Sequence, residues 1–215
     1  MTGYSRSPRL LRGGLVLLDP TSGTVQRVMP LQYNPDSIIR SLQVQDMGDG
    51  GNRADALRLK GPAIETLKLE AEIDLTDLLE AGDAQALEMG LQPAIAALEM
   101  IIQPSSRQLQ NNNTLADSGA MEIVPMETAL CVLVWSKNRV MPVKVTDFSV
   151  TEDAFDASLN PIRAHVSLGL RVLTVTDLGF AHRGGTLFMA YLQQKERMAA
   201  RVAKGRLASL GLEGI

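Results

Sequence analysis

The residues of this 215-residue chain that could do chemistry are few, and their spacing suits it poorly. The two histidines, His165 and His182, stand 17 positions apart, and neither has a cysteine or a pair of acids beside it at metal-ligand spacing. Ordinary surface or core histidines are the simpler expectation, so no metal is assigned. Cys131 is the only cysteine, which excludes an internal disulfide. A Cys-His nucleophile pair would need an exposed, activated thiolate, whereas Leu130, Val132 and Leu133 around Cys131 predict a buried small hydrophobe. The run Asp46-Met47-Gly48-Asp49-Gly50-Gly51-Asn52 has the residue types of a calcium loop, but its acids are mis-spaced and the twelfth position is Leu57 instead of a bidentate Glu. No Gly-Lys-Ser or Gly-Lys-Thr follows those glycines, so they do not cradle phosphate. Asp74, Asp77, Glu80 and Asp83 could be imagined as a general acid and base, yet no polar pocket is implied around them and acids favour the start of a helix in any case. Catalytic residues and cofactors are therefore both set at none, and the chain reads as something other than an enzyme.

Composition narrows the classes further. With 45% hydrophobic residues the chain is an ordinary globular one. Its longest apolar runs, at residues 15–18 and 130–135, fall far below the ~18 residues of a membrane-spanning helix. The basic start Met1-Thr2-Gly3-Tyr4-Ser5-Arg6-Ser7-Pro8-Arg9 leads to a short apolar stretch and Asp19-Pro20, which is no cleavage site, so synthesis in the cytoplasm without a leader is expected. A net charge of −3, with four Phe, three Tyr and one Trp, argues against nucleic acid as a partner. Charge is unevenly spread. Arg6, Arg9 and Arg12 carry +3 at the start, and from residue 183 onward six cations face only Glu196 and Glu213, leaving −10 for the middle. Basic ends of this kind suit docking on acidic partner surfaces, with Arg197, Arg201, Lys204 and Arg206 as the candidate contacts.

The elements that would position these residues are mostly strands. A hairpin is expected over residues 14–18 and 24–31, joined by Asp19-Pro20-Thr21-Ser22-Gly23. Tyr33-Asn34-Pro35-Asp36 ends it in a turn, because Pro35 forces Asn34 out of the helical region. A loosely alternating strand at 38–44 and a glycine-rich loop at 46–63 follow. The clearest strand is 65–74, where Leu67, Leu69, Ala71 and Ile73 alternate with polar residues. Apolar steps of three and four from Leu87 to Ile102 predict an amphipathic helix at about 83–103, with Pro93 opening a second piece of it. Residues 105–119 read as a polar loop. The all-apolar run 130–135 predicts a strand buried on both faces, turning at Ser136-Lys137-Asn138-Arg139 into 140–150, and alternation from Val166 to Val172 predicts another strand. Thr186 is the expected cap of a last helix running to about Ser209, with a thin apolar stripe of Leu187, Tyr191, Met198 and Val202.

Three separated segments together resemble the tube-domain family of contractile injection systems, related to phage tail-tube and baseplate-hub proteins. Leu31-Gln32-Tyr33-Asn34-Pro35-Asp36-Ser37 is similar to the family's aromatic-Asn-Pro-acid turn. Val124-Pro125, followed by the apolar run into Trp135, is similar to its proline and Trp-terminated strand, although Ser136 stands where the family has glycine. Phe155 with Asn160-Pro161-Ile162-Arg163-Ala164 resembles its aromatic and Pro-x-Arg-Ala approach to a strand. No LysM module follows, so glycan binding is not implied.

The resemblance implies a mainly β (α+β) fold: an antiparallel tail-tube-like β-barrel or sandwich over residues 1–180, with one inserted helix, then a basic C-terminal helical extension over 181–215. It implies a structural baseplate or hub subunit of a phage-tail-like particle, cytoplasmic or released, that joins the central spike to the inner tube and baseplate wedges. The partners implied are further copies in a six-fold ring, the spike, the inner tube and the wedge proteins, with no membrane insertion. Tyr33, Asn34, Pro35, Trp135, Phe155, Pro161 and Arg163 would be structural, Pro161 as a turn lock and Arg163 as a charge pairing across strands or subunits. An inner-tube protomer or tube initiator is the near alternative. A stand-alone ligand-binding β-domain, using the loop around Gly48 to Gly51, is the alternative from another class.

Overall fold

The computed structural model describes residues 11–46, 58–117, 128–202, 205 and 207–210. Its frame is one seven-stranded sheet in which every neighbouring pair is antiparallel. The strands are β1 (Gly14–Leu18), β2 (Val25–Pro30), β3 (Ile38–Gln43), β4 (Ile64–Asp74), β5 (Leu130–Ser136), β6 (Arg139–Phe155) and β7 (Pro161–Val172). Their order across the sheet is β2-β1-β5-β6-β7-β4-β3. No ladder joins β2 to β3, so the sheet is open, and the closed barrel expected from the resemblance is corrected on this point.

Local chemistry explains the strands. The β1–β2 turn forms because Asp19 accepts hydrogen bonds from the amides of Thr21 (3.1 Å) and Ser22 (2.7 Å), while Gly23 adopts φ +69°. In β4, period two puts Glu65, Leu67, Leu69 and Ala71 inside and Thr66, Lys68, Glu70 and Glu72 outside. These inner residues face Leu170, Leu168 and Val166 of β7, and with Leu15, Leu133, Met141 and Val143 they build the main core. At the centre, Leu130, Cys131, Val132 and Leu133 are all buried, because β5 has a second, smaller cluster on its other face with Leu18 and Leu187.

Six α-helices accompany the sheet among the described residues: α1 (Thr76–Glu80), α2 (Ala84–Met89), α3 (Gln92–Glu99), α4 (Ser106–Asp117), α5 (Val175–Leu178) and α6 (Arg183–Ala199). The single helix expected over 83–103 is broken in two at Gly90, which takes φ +56°. The following amide, of Leu91, donates to the Pro161 carbonyl (2.9 Å) instead of continuing α2. The loop expected over 105–119 is largely helix α4. Ser105 and Gln108 cap it reciprocally, Ser105 amide to Gln108 Oε1 at 3.0 Å and Gln108 amide to Ser105 Oγ at 3.2 Å.

The last helix also differs from expectation. It begins at Arg183, capped by His182 Nδ1 accepting from the Gly184 amide (3.0 Å), and ends at Ala199. Phe188 and Tyr191 enter the main core and Leu187 the smaller one, so this helix completes the domain's own packing. Its first turn lies directly against the backbone: a Cβ on Gly185 would sit 1.9 Å from the Gly179 carbonyl oxygen. Met198 and Val202, expected on the apolar stripe, are exposed.

Candidate functional site

Three of the seven motif residues, Asn34, Trp135 and Arg163, lie along one seam, where the open sheet curls towards itself. Gln32, just beyond β2, donates to the Asp74 carbonyl (2.6 Å) and accepts from the Asp74 amide (3.0 Å) at the end of β4. β2 and β4 are first and sixth in the sheet, which a flat sheet at ~4.8 Å per strand would hold ~24 Å apart. The sheet must therefore curl strongly for one side chain to span them. Asp74 is held from its other side by Arg163, whose Nε and Nη2 lie 2.9 and 2.8 Å from its carboxylate. Hydrogen bonds from the Thr76 hydroxyl and amide, and then Arg163, hold the Asp74 carboxyl below the usual carboxylate range against the opposing effect of burial.

Asn34 closes the same seam next to β1. Its Oδ1 accepts from the Gly13 amide and its Nδ2 donates to the Leu11 carbonyl, both at 2.8 Å. The Trp135 ring covers Gly13 so closely that a Cβ there would lie 2.7 Å from the ring. Asn34 and Trp135, 101 positions apart, thus meet on one glycine. Pro161 is fully buried at the start of β7 and holds Leu91 through its carbonyl. Tyr33 and Phe155 are different, being 48% and 49% exposed and free of any packing role in the core clusters. Pro35 is half-buried at the turn next to Tyr33.

The sheet edges are the other surfaces of note. Every residue of β2 except Met29 is exposed, including Val25 and Val28, and every residue of β3 except Ile38 is exposed, including Ile39 (63%) and Leu42 (51%). The edges differ in detail. The Leu31 amide donates to the Gly13 carbonyl, so alternation turns the backbones of Val28 and Pro30 outward, and Pro30 has no N–H to offer there. β3 contains no proline, and its pairing with β4 runs over six residues without a bulge.

One polar cluster was not singled out from sequence. Glu65 is 4% exposed, accepts from the Tyr191 hydroxyl (2.9 Å) and the Lys195 ammonium (2.6 Å), and has Arg40 of β3 at 3.8 Å. Lys195 also lies 4.3 Å from the Tyr191 ring centre. Burial and the Glu65 carboxylate raise the Tyr191 hydroxyl's pKa, with Lys195 opposing them, so the phenol stays protonated and donates. The signal was strand parity, since Glu65 shares the inward set with Leu67 and Leu69. The cluster ties α6 to β4 and to the β3 edge; every charged group in it is committed to a partner.

Cys131 is buried, and burial pushes its thiol up to about 12, far from thiolate formation at neutral pH. His165 lies on the outer face with Asp153 at 3.4 Å, and His182 caps α6. Asp83 caps α2 through the Ala86 amide, and Asp74 belongs to the seam. Among the described residues no group of three His, Cys, Asp or Glu could hold a metal ion. Positions 47–57, with most of the glycine-rich loop, lie outside the described residues, as do Val124, Pro125, Lys204 and Arg206. Of the candidate docking cations, Arg197 is exposed and bonded to Gln194 Oε1 at 2.7 and 3.1 Å, and Arg201 is exposed just past the end of α6. Among the described residues no helix is long and apolar enough to cross a membrane. The chain matches no protein-family model, and no curated protein matches it.

Proposed function

We propose that this chain is a structural subunit of a contractile injection system, a baseplate or hub component that joins copies of itself into a ring between the spike and the inner tube. The observation that carries this reading is the pair of sheet edges that no other strand pairs with among the described residues, both lined with exposed branched apolar side chains. Natural proteins normally blunt or cover such edges, because a free row of N–H and C=O groups recruits another strand. A ring removes both at once by setting β3 of one copy against β2 of the next.

The strand count fixes the geometry of that joint. Seven strands alternating in direction leave β2 and β3 running the same way. Rotation about a ring axis preserves a strand's component along that axis, so strands that run along it would join as a parallel pair, whereas a two-fold dimer through either edge would be antiparallel. The motif residues serve this role indirectly. Gln32, Asn34, Trp135 and the Asp74–Arg163 pair hold the curl that sets where the two edges point. The exposed cations Arg197 and Arg201 suit acidic neighbours above or below the ring. Tube protomer or initiator remains the near alternative, differing only in which rings stack on it.

Electron microscopy of assembled phage-tail-like particles carrying this chain tests the reading. The expected result is a six-fold ring of the chain next to the spike, with strand-to-strand joints at β2 and β3. A particle in which the chain sits outside any ring, or no particle association at all, would overturn it.

A further inference from the structure

The curl leaves an apolar cavity of about 210 Å³ behind the Gln32 bridge. Leu15, Val166 and Leu168, all nearly inaccessible, form its floor, while Met29 and Leu31 on one side and Ala71 and Ile73 on the other form its walls. Ala94, Ala97 and Leu98 of α3 roof it. Alanine stands at three of these positions, 71, 94 and 97.

We propose that this cavity binds one small, uncharged, apolar molecule: a single aromatic ring or a short hydrocarbon chain. The chemistry of the lining selects that class. At the mouth, the amide of Gln32 is committed at both ends to the backbone of Asp74, and Glu72 has Arg163 3.7 Å away. The lining is thus mostly apolar, with the exposed Glu72 carboxylate its main open polar group, and water, which needs two to four polar partners, is a poor filler. Cavities of about 150 Å³ with comparable linings stay dry and accept benzene, whereas drug-sized ligands need about 300 Å³ or more. A volume of about 210 Å³ lies between those limits. Met29 and Pro30 of β2 line this site, yet its binding is read without assembly, so it stands or falls independently of the assembly role.

The probes are benzene, indole and 1-hexanol added to the full-length chain. Saturable binding raises Tm by roughly 3–6 °C at ten times Kd. Methyl resonances of Leu15, Leu98 and Leu168 should move with the same saturation curve, locating the ligand without any mutation. Ala97→Leu, or Ala94→Leu if the first does not fold, should abolish both responses by filling the roof. No saturable response up to the solubility limit overturns the proposal. So do methyl shifts located elsewhere, or a response that survives in a folded filled-roof variant.

Discussion

The two edges of the sheet are built from similar residues but finished differently, and the contrast separates a blunted edge from an open one. β2 has Pro30 turned outward, a register shift opposite Leu17 and Leu18, and an end tied down through Gln32 and Asn34. β3 is regular, proline-free and apolar at Ile39 and Leu42, with Arg40 tied inward towards Glu65. One edge is partly blunted and anchored to the seam; the other is a clean template. In a head-to-tail joint β3 would supply the regular template and β2 of the next copy the anchored edge.

Placing charge on the clean edge should break this contrast most severely. Ile39→Lys with Leu42→Lys is expected to abolish ring formation in size-exclusion chromatography with light scattering, while Val28→Lys on β2 weakens it by only about tenfold. Both variants should stay folded, because these side chains are exposed. Equal loss from both edges would erase the distinction. Next in size is Glu65→Ala, which strips Tyr191 and Lys195 of their buried partner and frees Arg40 of β3. A loss of roughly 3 kcal/mol in urea unfolding is expected, with α6 loosened first. Gln32→Leu removes two hydrogen bonds and leaves the Asp74 backbone unpaired at the seam. It should cost about 2 kcal/mol and loosen β2 without touching β3.

The smallest effect is the pH response of Asp74. Its pKa is depressed in the folded chain, so its contribution is present above the ordinary carboxylate range and fades as pH falls through the folded value. Acid unfolding below about pH 4 should therefore shift slightly to higher pH in Arg163→Gln, which loses the ion pair but keeps the Thr76 bonds. An unchanged acid midpoint would show that Arg163 contributes nothing there.

Strand periodicity made much of this fold legible. The 65–74 alternation, the doubly buried 130–133 run and the first hairpin all follow from side chains one sheet position apart. Helix boundaries were harder. The break at Gly90 depends on a carbonyl from Pro161, 71 positions away, and no local pattern announces it. The capping pair Ser105 and Gln108 is a local start signal for α4, although the polar composition of 105–119 reads as loop. His182 as the α6 cap was hidden because histidine is rarely read as a capping residue. The seam was only half visible. Asn34, Trp135 and Arg163 stood out as motif residues, whereas Gln32, the residue that spans it, carried no motif weight of its own.

Amide hydrogen exchange on the assembled chain, against the Ile39→Lys, Leu42→Lys monomer, tests the edge-joined ring most directly. The account predicts that the amides of β3 and the outward amides of β2, Val28 among them, gain strong protection on assembly, with the centre of the sheet unchanged. Edge amides that exchange as fast in the assembled chain as in the monomer, while protection appears on another surface, would contradict it.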